Sequence, residues 1–222
     1  LDTLALGHKE LEISYDDFMN PATLPTMNSS VLMCQTGYLT LKSSLEQSPP
    51  YVNLGFANRE TLRSLSALLS LRIFKSINNI SNKKKENILD CCSTEELVNI
   101  FNQQLASVVY DQYPVTGESS VQALLQIYLQ GLGIDVRCEQ HNSKGRSDLI
   151  INLTKRRIVI ELKYSAEGKG IPYLLNEAFE QLKRNEYGVE NLGSRELLRI
   201  AAVFSAAGDQ RKIVSFKELN QV

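Results

Sequence analysis

The chain has 222 residues, a formal net charge of −1, 43% hydrophobic and 22% charged residues. That composition excludes a disordered chain, and the near-zero charge excludes any global attraction to nucleic acid, so such a contact must rest on a local cationic groove and a metal. No apolar run approaches the ~20 residues needed to span a bilayer and no signal peptide is visible, so the expectation is a cytoplasmic protein without membrane contact. Cys34, Cys91, Cys92 and Cys138 lack C-x-x-C spacing and read as reduced thiols. The two histidines, His8 and His141, lie too far apart in sequence to favour a zinc site. The chain opens on Leu1 rather than Met, as a piece of a longer protein would.

In chain order, VLMCQTGYLTL at 31–41 reads as two short strands about a Gly37 turn. Tyr51 to Phe56 is another strand, behind a loop marked by Pro49 and Pro50. Asn58 is set to cap a helix whose apolar face is Leu62, Leu65, Leu68, Leu69 and Ile73. The polar stretch from Asn78 to Asn87, with Lys83, Lys84 and Lys85, reads as an exposed linker. Ser93 followed by Glu96 is a capping box opening a second helix. A domain boundary is placed near residue 105, giving a helix-and-hairpin domain over 1–105 and a second domain over 106–222.

The second domain reads more regularly. Val121, Leu124, Leu125, Tyr128 and Leu132 form a helical stripe stopped by Gly131 and Gly133. Strands follow at Ile134 to Cys138, Asp148 to Leu153 and Ile158 to Tyr164. Pro172 suits the first turn of a helix with Leu175, Phe179 and Leu182 on its apolar face. A buried strand at Ile200 to Phe204 and an edge at Ile213 to Phe216 close the domain. The order α-β-β-β-α-β implies an α/β sheet with helices packed against it.

Alternation puts Val159, Glu161 and Lys163 on one face of their strand, and Asp148, Ile150 and Asn152 on one face of the strand before it. A turn centred on Lys155 and Arg156 would set Asp148 opposite Lys163 and Ile150 opposite Glu161. Asp148 and Glu161 would then be diagonal neighbours roughly 7–8 Å apart, close enough to share one hard cation beside a lysine. Burying such a cluster without a cation is costly, because like charges repel and each loses hydration. Glu118 falls on the buried stripe of its helix and adds a third acid, although an acid in a first turn also favours the helix dipole. Lys144 and Arg146 immediately precede Asp148 and are candidate phosphate contacts. Lys155, Arg156 and Arg157 crowd the far end of the hairpin and read as a solvated turn.

GRSD at 145–148, then twelve intervening residues and ELK at 161–163, resembles the PD-(D/E)XK nuclease superfamily, with Ser147 in place of the proline. QLKRNEY at 181–187 resembles the Gln and Tyr motif that some members carry on the following helix. Upstream, CQTGYLTL and VNLGFANRE resemble the tail of the AAA-ATPase-like domain that precedes one nuclease group of this superfamily. The resemblance implies a restriction-endonuclease-like core with a central mixed sheet. It also implies Asp148, Glu161 and the Leu162 backbone carbonyl as metal ligands, and Lys163 as the group orienting the attacking water. Glu118 and Gln181 would complete the catalytic set, with Tyr187 a further nucleic-acid contact. The implied cofactor is Mg²⁺, with Mn²⁺ as a substitute, and the implied substrate is nucleic acid, DNA before RNA. A protein partner or a preceding ATPase domain belongs to the same picture. No G-x-x-x-x-G-K-[ST] loop is present, so this chain alone is not expected to hydrolyse ATP. The competing reading is a catalytically silent module of the same fold, serving nucleic-acid binding or protein assembly. The near-neutral charge favours the silent module, and the intact set of acids favours activity.

Overall fold

A computed structural model describes residues 11–20, 23, 25–42, 50–74, 82–142, 145–185, 187–208 and 211–219; at 82–85, 139–142 and 145–148 it describes the backbone alone. The N-terminal part holds strands β1 (Leu11–Ser14), β2 (Leu39–Leu41) and β3 (Tyr51–Phe56), with β3 central and both pairings antiparallel. Two short helices, α1 (Tyr15–Met19) and α2 (Ser29–Gln35), accompany them. Ile13, Val31, Leu39, Val52 and Leu54 form a small cluster of their own there. The first of the two strands expected about Gly37 is instead α2. Asn28 caps it by accepting from the Ser30 N–H, and that local bond outweighs the strand preference of VLMC.

Helix α3 (Arg59–Ile73) starts at the expected cap. Asn58 Oδ1 accepts from the Thr61 N–H at 2.8 Å, and Thr61 Oγ1 accepts from the Asn58 N–H at 3.2 Å. Leu65, Leu69 and Ile73 are buried as the stripe requires, but Leu68 is exposed. Ser66 and Ser70 are buried in its stead because α3 crosses α6 (Glu118–Gly131) on that side. Ser70 Oγ donates to the Ile127 carbonyl at 3.0 Å, and a Cβ at Gly131 would lie only 2.7 Å from Ser70 Oγ. Small residues at the crossing let the two helices approach. Beyond α6, the Ile134 N–H returns to the Leu129 carbonyl and the Gly133 N–H to that of Gln130, a Schellman stop that needs Gly133 at φ +82°.

Asn82–Asn87, read from sequence as the end of a linker, belong to helix α4 (Asn82–Cys91); residues 78–81 and the side chains of Lys83, Lys84 and Lys85 lie outside the described residues. Helix α5 (Thr94–Ala106) opens on the expected Ser93–Glu96 capping box. Leu65 and Ile73 of α3, Leu89 of α4 and Phe101 of α5 share one hydrophobic cluster with α6 and the sheet. That cluster runs without a break past residue 105.

The main sheet has five strands in the order β4 (Asp135–Asn142), β5 (Gly145–Asn152), β6 (Arg156–Ser165), β7 (Glu196–Ser205) and β8 (Lys212–Glu218). Only β6 and β7 are parallel, and helix α7 (Ile171–Asn185) makes the crossover between them. The sheet is therefore mixed and flanked by helices, the architecture of a restriction-endonuclease-like core. Ile158, Ile160 and Leu162 of β6 face the large cluster, while Val159 faces Ala178, Phe179 and Leu182 of α7. Cys34, Cys91, Cys92 and Cys138 form no disulfide. Among the described residues no helix is long and apolar enough to cross a membrane.

Candidate metal centre and strand-face site

The hairpin register differs from the expected one by two residues. Leu149 pairs with Ile160 and Ile150 with Val159, so Ile150 does not face Glu161. The turn is closed by the Leu153 N–H on the Arg156 carbonyl at 3.0 Å, leaving Thr154 and Lys155 at its tip. A distant residue fixes this choice. The Asp90 carboxylate accepts from the Lys155 N–H at 3.1 Å and from the Arg156 N–H at 3.3 Å. Arg156 is consequently no solvated turn residue. It is buried, and its guanidinium donates to the carbonyls of Leu89 and Cys92. Arg157 is likewise engaged, with the carbonyl of Gly188 at 2.8 Å and Asn152 Oδ1 at 2.7 Å. Among the described residues the pairing ends at Leu149 and Ile160; carried one step further, this register would set Asp148 level with Glu161 instead of diagonal to it. The Asp148 carboxylate itself lies outside the described residues.

Glu161 and Lys163 share the α7 face of β6, as alternation requires. The Glu161 side chain is 1% exposed and that of Lys163 12%, with Lys163 Nζ 3.8 Å from Glu161 Oε1. Two further acids meet the same ammonium: Glu118 Oε2 at 4.0 Å and Glu177 Oε1 at 3.8 Å, both partly exposed. Tyr164 holds the approach to α6 in place. Its hydroxyl donates to the Val115 carbonyl at 3.2 Å while its ring stacks on Phe204. Glu118 then enters the site from the first turn of α6 and Glu177 from the middle of α7.

The structure thus brings together Glu118, Glu161 and Lys163, and adds Glu177, which sequence reasoning missed. Its signal was present: Glu177 stands four residues before Gln181, on the same surface of an α-helix. Gln181 is half-buried and lines one cleft with Glu177. Leu162 turns its side chain into the opposite core, so only its backbone can serve the site. Tyr187 is misassigned as a nucleic-acid contact. It is 2% exposed, packs with Val159, Phe179 and Leu182, and its hydroxyl is bonded by Asn185 Nδ2. Lys144 and the Arg146 side chain lie outside the described residues, as do both histidine side chains.

Three carboxylates around one ammonium leave the cluster with a formal excess of negative charge, with its innermost member almost wholly buried. Oxygen donors in such a setting suit a hard divalent cation better than a softer one. Among the described residues no group of three acid, histidine or cysteine side chains could hold a metal ion, and Glu118, Glu161 and Glu177 each lie within 4.0 Å of Lys163 Nζ.

Residues 116–215 match the model of the PD-(D/E)XK nuclease superfamily, a span running from just before Glu118 into β8. The match does not cover 34–41 and 52–60, the segments behind the expected AAA-ATPase-like tail. No curated protein matches the chain.

Proposed function

We propose that this chain is a metal-dependent nuclease that hydrolyses phosphodiester bonds, with DNA as substrate and Mg²⁺, or Mn²⁺ in its place, as cofactor. The observation that carries the reading is a nearly inaccessible Glu161 beside Lys163 on the central strand, within the span matching a nuclease superfamily. A structural salt bridge has no need of two more acids around the same lysine.

Asp148, Glu161 and the Leu162 carbonyl would hold the metal. Bound there, a hard cation supplies Lewis-acid polarisation of the phosphoryl group and makes a coordinated water more acidic. The chain's own residues do the rest. Lys163 holds the attacking water or a non-bridging phosphate oxygen, and offsets charge that develops as the phosphorus–oxygen bond breaks. Glu118 and Glu177 flank its ammonium and limit where it can swing. The almost complete burial of Glu161 excludes bulk water from the base of the site, which strengthens each of these interactions. Gln181 lines the approach along α7. The choice of DNA over RNA, and the kinship of residues 1–105 with an AAA-ATPase-like tail as a separate domain, rest on sequence resemblance.

The test is incubation of purified protein with linear, circular and single-stranded DNA, with Mg²⁺, Mn²⁺ or a chelator. Cleavage that requires the divalent ion supports the proposal. Binding without cleavage under every condition would favour the silent module, the reading that the net charge of −1 speaks for.

A further inference from the structure

The surface of α7 that delivers Glu177 to the site continues as an open cleft of about 560 Å³, lined by Tyr173, Asn176, Glu177, Glu180, Gln181 and Arg184. These residues recur at helical spacing, and from Tyr173 to Arg184 the helix runs about 16 Å. Both acids are already answered: Glu180 by Lys183 at 2.9 Å and Glu177 by Lys163 at 3.8 Å. Among the described residues Arg184 donates through its Nε alone, to Asn185 Oδ1 at 3.4 Å, so the rest of its five donors are left for a ligand in the cleft it lines. Tyr173 belongs to neither core cluster of this domain and is 73% exposed, the most exposed of the large hydrophobic side chains in the described residues. What the cleft offers a ligand is an aromatic face, two side-chain amides and a guanidinium.

That combination matches an unpaired nucleotide. Its base has a π-face to stack, its edge has donors and acceptors for an amide, and its phosphate suits a guanidinium. In an intact duplex the base faces are hidden in the stack, where a surface tyrosine cannot reach them. We propose that the α7 cleft binds an unpaired nucleotide of the substrate strand, stacked on Tyr173 and steadied by Asn176, Gln181 and Arg184. Single strands and frayed ends then bind in preference to duplex. The proposal rests on the nuclease reading, because the cleft meets the site through Glu177.

The experiment measures binding of a labelled oligothymidylate, and of its duplex with oligoadenylate, in Ca²⁺ to hold turnover off, alongside cleavage of both in Mg²⁺. Wild type should bind the single strand at least about tenfold more tightly than the duplex. Tyr173→Ala should lose about tenfold or more on the single strand, Tyr173→Phe should keep wild-type affinity, and duplex binding should stay within about twofold for both. The exposure of Tyr173 makes a folding defect an unexpected outcome, and thermal unfolding of the variants checks it. Equal binding of strand and duplex by wild type overturns the inference, as does an unchanged single-strand affinity in Tyr173→Ala; cleavage in Mg²⁺ would leave the nuclease reading standing in both cases. A wild type that neither binds nor cleaves either form overturns the nuclease reading and this inference with it.

Discussion

Replacing Lys163 by methionine keeps most of the side-chain volume and removes the charge, so it separates what the ammonium does from what its stem packs against. In the metal-free protein Glu161 would lose a cation at 3.8 Å in a place where its side chain is only 1% exposed. With an effective dielectric of about 20, that separation corresponds to roughly 4 kcal/mol of attraction. Breaking one partner of a buried pair generally costs about 3–5 kcal/mol. Glu118 and Glu177 are more exposed and add little, and their repulsion of Glu161 is no longer offset. A loss near 3 kcal/mol is expected, which for a chain of this size lowers Tm by roughly 6–12 °C. A divalent cation should recover part of it, because it restores positive charge beside Glu161. Ca²⁺ should therefore raise the Tm of Lys163→Met by more than it raises that of wild type. Cleavage at saturating substrate should fall by on the order of 10²-fold or more, as expected when an oriented group is lost from the transition state. Nucleic-acid binding in Ca²⁺ should change little, since one phosphate contact is a small share of the salt-dependent term. Thermal unfolding with and without Ca²⁺, run beside a single-turnover cleavage assay, reads all of these. A variant as stable as wild type without metal would refute the charge balance argued for Glu161. A variant cleaving within about threefold of wild type would remove Lys163 from the mechanism.

Two further outcomes concern the scaffold. Asp90→Ala strips the hairpin turn of the acceptor for the Lys155 and Arg156 N–H groups and should cost about 2–4 kcal/mol in urea unfolding; a loss under about 0.5 kcal/mol would show that the turn does not depend on it. Burial pushes the Tyr110 hydroxyl up to about 12, against the opposing pull of Arg211 stacked on its ring. A raised tyrosine favours the folded state below the unfolded value of 10 and loses that contribution as pH rises to about 12. Unfolding free energy should accordingly fall across that window, and Tyr110→Phe should flatten the fall; identical pH profiles for the two proteins would contradict the assignment.

The parts of the fold legible in the sequence are those set by neighbours along the chain. The caps at Asn58 and Ser93, the stop at Gly133 and the alternation that joins Glu161 to Lys163 all rest on bonds or geometry spanning a few residues. What was misread depends on distant partners. The hairpin slipped by two residues because its turn is chosen by Asp90, far upstream on α4. Arg156 looked like turn decoration, and its burial follows from carbonyls at the end of that same helix. Leu68 completed an apolar stripe on paper, yet the neighbouring helix packs over Ser66 and Ser70. Tyr187 carried a motif resemblance whose structural context is a core beneath Gly188, where the φ of +85° turns the chain back over Val159. Glu177 escaped notice because an acid on an amphipathic helix reads as solvent-facing until the strand beneath it is known to carry Lys163.

The most direct test of the central claim is the Mg²⁺ dependence of DNA cleavage by wild type against Asp148→Ala, with thermal unfolding to show that the variant is folded. Cleavage by wild type should appear with Mg²⁺ and disappear with chelator, and a folded Asp148→Ala should show no cleavage above background at any Mg²⁺ concentration. A folded Asp148→Ala that cleaves at the wild-type rate would contradict it.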